Sequence, residues 1–260
     1  MKKNNFFAWF WFILGMIYFF LPLFASFDFS LRAVRGRLTF KAYEYIFHDP
    51  NFYKQFGFSL EMGIFTILIG FLLIVPTAYW VRLRLPKHRP IVEFITLLPF
   101  VIPAVVLTFG LIRTYCCEPI ILVNSPALLV AGYVVFAMPY MYRSVDAGLR
   151  AIDVVTLTEA AQSLGAGWAT IIFRVIFPNI RVALLSGAFL TFAIVIGEFT
   201  MSSLLYWPAF GPYMQAIGVT RAYEPAALAI ISFALTWGSM ALIQWIGRGA
   251  PGQGQIAGAR

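Results

Sequence analysis

The sequence predicts an all-α membrane protein with six transmembrane helices, and three observations carry that prediction. Of 260 residues, 61% are hydrophobic and only 12% are charged, whereas a soluble domain carries roughly 25% charged and about 45–50% apolar residues. That excess cannot be hidden in one soluble core, so lipid must solvate much of it. The apolar residues also gather into six runs close to the roughly 20 residues that a membrane-crossing helix needs. Finally, the runs show none of the alternation of the ~10-residue strands of an outer-membrane barrel.

The first run, residues 6–27, follows Lys2 and Lys3 as a signal peptide would. It is too long for one and no small-residue cleavage site follows, so a retained helix is expected. The next spans are expected at 58–81, 91–115, the short 128–142, 182–206 and 226–246. Pro22, Pro76, Pro99, Pro103 and Pro139 lie inside or at the ends of these runs. Membrane helices tolerate proline because neighbouring helices or waters satisfy the freed carbonyls.

Basic residues in short loops set the orientation. With the N-terminus inside, 12 Lys and Arg face the cytoplasm and 7 face outward, five of the latter in the single loop 28–57. The cluster Arg82, Arg84, Lys87 and Arg89 is the strongest vote. Both termini are therefore expected in the cytoplasm. Three parts follow: residues 1–57, an N-terminal helix with an outer loop; 58–246, a core of five helices with a long inner loop at 143–181; and 247–260, a tail whose five glycines predict disorder.

Composition excludes several classes. The net charge of +8 sits in short loops rather than on one amphipathic face, which argues against nucleic acid as a partner. Cys116 and Cys117 are adjacent and offer neither a disulfide framework nor a spaced metal site, so inert packing near a helix end is expected and no metal. His48 and His88 fall in loops on opposite sides of the membrane, which rules out a His-based intramembrane enzyme. A proton-coupled secondary transporter would show internal repeats and several intramembrane ionisable groups. No repeat is evident, and few carboxylates lie within spans, Glu61 and Glu198 among them.

The inner loop 143–181 is neither a linker nor a span. Residues 146–164 read as helical, with Thr156-x-x-Glu159 fitting a capping box. Ala160 and Ala161 follow, and Gly165 can take a left-handed C-cap. A second short helix at 168–177 carries the apolar face Ile171, Ile172, Val175 and Ile176 and is closed by Pro178. Such a knuckle suits docking against another protein; it equally suits an amphipathic hairpin lying on the membrane.

Glu159-Ala160-Ala161-x-x-x-Gly165 followed by Val175-x-Phe177-Pro178 resembles the EAA loop of permease subunits of type I binding-protein-dependent ABC importers. Val175 and Phe177 stand where that pattern has Ile and Leu. The resemblance covers about residues 58–246 and implies the type I importer permease fold, with the first span as an added helix. It implies that Thr156, Glu159, Ala160, Ala161, Gly165 and Pro178 form a coupling helix that docks on an ATPase subunit. It also implies two ATP-binding subunits, a second homologous but non-identical permease, a periplasmic or lipid-anchored substrate-binding protein, and residence in the bacterial inner membrane. No G-x-x-x-x-G-K-[ST] phosphate loop occurs, so the chain itself is expected to be no enzyme and to bind no cofactor. ATP and Mg belong to the partner subunits.

Gly197-Glu198-Phe199-Thr200 with Leu204 and Leu205 resembles the spermidine/putrescine branch of these permeases; the iron(III), opine and thiamine branches share much of it. A carboxylate at membrane depth is costly unless paired or wetted. Glu198, with Thr200 and Ser202, is therefore a candidate for the substrate path of a polyamine-like cation. The alternative is a structural bond within the bundle, to Arg113 or Arg221. Tyr206, Trp207, Tyr213 and Tyr223 read as an interfacial belt.

Overall fold

The computed structural model describes residues 5–34 and 36–247. Among these residues, besides a short 3-10 turn at Pro86–His88, twelve helices follow one another: α1 (Asn5–Leu31), α2 (Lys41–His48), α3 (Pro50–Arg84), α4 (Arg89–Val101), α5 (Ala104–Tyr115), α6 (Pro126–Arg150), α7 (Val154–Ser163), α8 (Trp168–Asn179), α9 (Arg181–Gly197), α10 (Thr200–Leu204), α11 (Phe210–Thr220) and α12 (Glu224–Gly247). No strand forms among the described residues; Val34 and Arg37 make an isolated bridge. Of the expected tail 247–260, Gly247 is the last residue of α12 and the rest lies outside the described residues, as do Lys2, Lys3 and Arg35.

By length and composition α1, α3, α6 and α12 can each cross a membrane alone, and six spans result if two bent pairs each count as one. Those pairs correct the expected spans. The run 91–115 is two helices, α4 and α5, bent by 98°. Pro103 explains the break: it disfavours helical geometry at the residue before it, and Ile102 is extended with ψ 116°. The expected fifth span, 182–206, ends at Gly197; the chain then breaks and restarts as the five-residue α10. At its other end, α9 meets α8 at an 81° elbow. The expected outer loop 28–57 holds α2 and the first turns of α3.

The chain divides into two compact units, Met1–Lys54 with Pro212–Leu235 and Gln55–Gly211 with Thr236–Arg260. In the first unit, α1 presents large apolar side chains on every side, among them Phe7, Trp9, Trp11, Phe19 and Phe24. An all-round apolar helix is stable only in an apolar medium. Ser30 and Tyr43 share a 2.8 Å hydrogen bond, and the Tyr213 hydroxyl donates to Asp49 at 2.9 Å. Tyr213 is buried, so it does not serve in an interfacial belt.

In the second unit α6 is the most deeply packed span. Its neighbours come close because small residues line the contacts. Gly148 faces Ala183 of α9 so closely that a Cβ there would collide with it, and Ile180 just before α9 would also have to give way. Two apolar clusters fill the unit. One joins Ile74, Val75 and Tyr79 of α3 to Met141, Val145 and Leu149 of α6 and to Val154, Ala161, Ile171 and Ile176 of α7 and α8. The other joins Met62, Leu129, Tyr133, Val195 and Met201. The first cluster seats the loop 143–181, and the second seats the break after α9.

Candidate functional site

The loop 143–181 folds as a rigid knuckle, though not with the expected caps. The helix read across 146–164 is interrupted at 151–153: α6 ends at Arg150 and α7 starts at Val154. Asp153 caps α7, accepting from the Thr156 amide at 3.2 Å and from its hydroxyl at 2.7 Å. These bonds hold the Asp153 carboxyl below its ordinary pKa. The capping box between Thr156 and Glu159 therefore does not form; Thr156 lies one turn inside the helix it was expected to cap. Asp153 carries a charge to a helix N-terminus, where both cap and macrodipole favour it.

One face of α7 is buried through Val154, Thr158 and Ala161. The Thr158 hydroxyl donates to Val154 O at 2.6 Å, so Tyr79 of α3 donates to it at 2.8 Å in a buried bond. The two alanines divide: Ala161 packs inward, whereas Ala160 is exposed with Thr156 and Glu159. Gly165 is left-handed, with φ +78°, as expected. The Gly165 amide bonds to Gln162 O at 2.8 Å and the Ala166 amide to Ala161 O at 3.0 Å, the paired bonds of a Schellman cap.

Beyond the cap, Ile171 and Ile176 of α8 are buried and Ile172 and Val175 partly so, as the periodicity predicts. Residues 171–176 wind as a π-helix, a form that recurs at functional sites. Pro178 is exposed in the last turn before the elbow. Leu164 and Phe173 are 88% and 63% exposed on the same knuckle. Sequence reasoning passed over both, since Leu164 sits at a cap and Phe173 off the apolar face; a large apolar residue at each was the available signal.

A charge cluster closes the adjoining ends of α3, α4 and α6. Asp146, with a side chain 9% exposed, meets Arg89 at 3.0 Å, Arg150 Nε at 2.8 Å and Arg82 at 3.9 Å. Glu93 pairs with Arg89 at 2.9 Å and with Arg150 at 3.2 Å. A cavity of about 420 Å³ opens beside it, lined by Glu93, Thr96, Tyr142, Arg143, Asp146 and Arg150. The sequence reading used these arginines for orientation and missed Asp146, whose spacing to Arg150 is the i,i+4 signal.

At the break after α9, Glu198 is held by three donors. Its carboxylate accepts from the Met201 amide at 2.6 Å, the Ser202 amide at 3.1 Å and the Tyr133 hydroxyl at 3.2 Å. It thus anchors the N-terminus of α10. The alternative, a structural bond within the bundle, takes Tyr133 as its partner rather than Arg113 or Arg221: Arg113 is exposed and Arg221 pairs with Glu224 at 3.2 Å. Ser202 is buried, its hydroxyl donating to Phe199 O at 3.2 Å, and Thr200 is half-buried. Met201 packs onto Gly132 of α6, where a Cβ would meet its sulfur and terminal methyl and force that side chain to shift.

The chain then turns at Tyr206, which has φ +59°. Left-handed backbone costs a residue with a Cβ roughly 1–2 kcal/mol. Trp207 stacks on Phe58 at 14°, and the Phe210 amide donates to Ser59 Oγ at 2.8 Å. Gly211 lies against the Glu198 carbonyl, closer than any Cβ could approach. Cys116 and Cys117 follow α5 as expected, but exposed rather than packed. No cluster of His, Cys, Asp and Glu that could hold a metal occurs among the described residues.

Residues 74–250 match the profile of a family described as binding-protein-dependent transport system inner membrane components. The chain is 26% identical over 183 residues to the spermidine/putrescine transport system permease protein PotB of Haemophilus influenzae, the match covering 65% of this chain and 63% of that relative. It therefore spans less than two thirds of that relative's length. A probable sulfate transport system permease protein of Prototheca wickerhamii is 31% identical over 196 residues, covering 69% of this chain and 72% of the relative. Among solved structures, a bacterial ABC transporter that imports the acidic polysaccharide alginate superposes with a TM-score of 0.66 at 17% identity, covering 94% of this chain and 97% of that one. At that identity the superposition speaks for the fold.

Proposed function

The chain belongs to the family of binding-protein-dependent transport system inner membrane components, and from that premise we propose that it forms half of the translocation path of an ATP-driven importer. The family is one of integral membrane transport components rather than enzymes, and its systems depend on a binding protein. In this reading the core at 58–246 translocates and residues 1–57 add an accessory helix. The partners are two ATP-binding subunits that carry ATP and Mg, a second homologous permease, and a periplasmic or lipid-anchored binding protein. Both termini lie in the cytoplasm.

One observation carries the reading: α7 is fixed from behind and bare in front. Its rear is bonded and packed to α3 and α6, while Thr156, Glu159, Ala160 and Leu164 face outward. A surface lying on lipid would bury Leu164 and Phe173 but gain nothing from Glu159. A groove on a partner ATPase can take both the apolar and the acidic residues. Gly165 sets the turn and Pro178 the exit. Gly165→Pro and Gly165→Val cannot adopt φ +78° without strain. The purified complex should lose substrate-stimulated ATPase and uptake with either. Full retention of both after Gly165→Pro refutes the coupling assignment.

The solute is a polyamine-like cation in this reading, with Glu198, Thr200 and Ser202 on its path. The kinship to spermidine/putrescine permeases supports it, as does the placing of Glu198 at an interrupted helix, since discontinuous helices form the substrate sites of many membrane transporters. The sulfate relative has the higher identity and favours an oxyanion as the second reading. Uptake of radiolabelled spermidine against sulfate by the whole importer, reconstituted with its own binding protein, decides between them.

A further inference from the structure

The helices α7 and α10 end in the same turn, built from different residues. At α10 the Tyr206 amide bonds to Ser203 O at 3.2 Å and the Trp207 amide to Ser202 O at 2.9 Å, the same paired bonds that close α7. The left-handed position is Gly165 in one and Tyr206 in the other, and Tyr206 is the only non-glycine residue with positive φ among those described. Glycine takes this conformation without a steric penalty and tyrosine does not. Nothing in the turn needs the ring: both bonds are backbone bonds, and Tyr206 is 95% exposed, the highest value of any large apolar side chain described. Its neighbours are fixed, with Leu205 buried and Trp207 stacked on Phe58. A strained backbone held by rigid surroundings is the pattern of a functional position.

We infer that Tyr206 is a substrate-contact residue, whose ring face meets the ammonium groups of the solute as it passes the break in the bundle. The inference rests on the cation reading of the solute given above. A cation is drawn to the face of an aromatic ring by its quadrupole. The two hydrogen bonds pin the backbone that carries the ring, so the chain itself need not reorganise on contact. The strain is then the cost of keeping a ring where a glycine would be more stable.

The test uses the complete importer with its binding protein and ATPase subunits in proteoliposomes, read by initial spermidine uptake and by thermal melting. Tyr206→Gly should raise the melting temperature by about 2–4 °C while uptake falls about five- to tenfold. Tyr206→Phe keeps the ring face and should restore most of the uptake. Tyr206→Leu keeps the strain without the ring and should lose uptake with no gain in melting temperature. Wild-type uptake by Tyr206→Gly overturns the inference. So does loss of the second permease from the Tyr206→Gly complex on purification, since the ring would then be a subunit contact. The wild-type arm tests the cation reading separately: import of sulfate but not spermidine removes that reading, and the Tyr206 inference with it.

Discussion

Glu198 shows how much one side chain can settle. Its two oxygens accept from two amides and a hydroxyl, so the carboxylate is a structural cap whatever it also does for a solute. Glu198→Gln keeps the size but turns an NH2 toward a donor, leaving one donor unpaired, at a cost of about 1–3 kcal/mol. The melting temperature of the complex should drop measurably. A Glu198→Gln protein that melts as wild type but imports spermidine slowly would assign the charge to transport alone. Gly211 makes a harder case, because the atoms a Cβ would meet are backbone, the Glu198 carbonyl and the Phe199 Cα. Gly211→Ala should cost about 1–3 kcal/mol through overpacking, seen as a lower melting temperature and a smaller yield of folded complex. At Asp146 three guanidiniums converge on one carboxylate. Asp146→Ala leaves them to repel one another; since they are partly exposed and solvent screens them, a loss of about 1–3 kcal/mol is expected, below the range for fully buried pairs. A melting temperature unchanged by Asp146→Ala would show that the cluster holds nothing together.

At the scale of elements, the knuckle was legible in outline because its signals are local. Gly165 is left-handed and the face Ile171, Ile172, Val175 and Ile176 packs inward, as spacing alone implies. The cap was misplaced because Asp153 and Thr156 both satisfy the chemistry of an N-cap, and only the interruption at 151–153 decides between them. That interruption has no proline or glycine to announce it. The bend between α4 and α5 did have a signal, Pro103, but a proline in a membrane span is as often tolerated as disruptive, and tertiary contacts select the outcome. Glu198 was legible by its depth and by the resemblance of Gly197-Glu198-Phe199-Thr200; its donors Met201 and Ser202 are local to the start of α10, but Tyr133 lies 65 residues away on α6, which no periodicity encodes. The Asp153 cap also carries a pH dependence. Its folded-state pKa is lowered, so its contribution is present above the ordinary carboxylate range and lost only as pH falls through the lowered value. Asp153→Asn should keep the cap at neutral pH, whereas Asp153→Ala should speed amide hydrogen exchange in the first turn of α7. Equal exchange in all three proteins would remove the cap from the account.

At the scale of the whole chain, the balance of Lys and Arg predicts which ends face the cytoplasm. Reporter fusions in the loop at Thr39 and at His88 should report periplasm and cytoplasm respectively; the reverse pattern refutes the orientation. The number of spans was legible because hydropathy counts apolar length, and six survive only when α4 with α5 and α8 with α9 are each taken as one. Where a span breaks depends on which backbone groups find other partners, information that lies in the packed bundle rather than in any window of sequence.

The buried bond between Tyr79 and Thr158 has a mechanical meaning. Close-packed interiors compress little, so a push on the outer face of α7 travels into α3 and α6 as displacement rather than being lost as local give. The bends lie elsewhere, at the 81° elbow beside Ile180 and at the interruption before Thr200, where Glu198 is extended. In the proposed importer, load would enter through the bonded face of α7, and rotation would fall at the bends at the two ends of α9. Replacing Tyr79 by Phe would loosen that bonded face without touching the surface that receives the load.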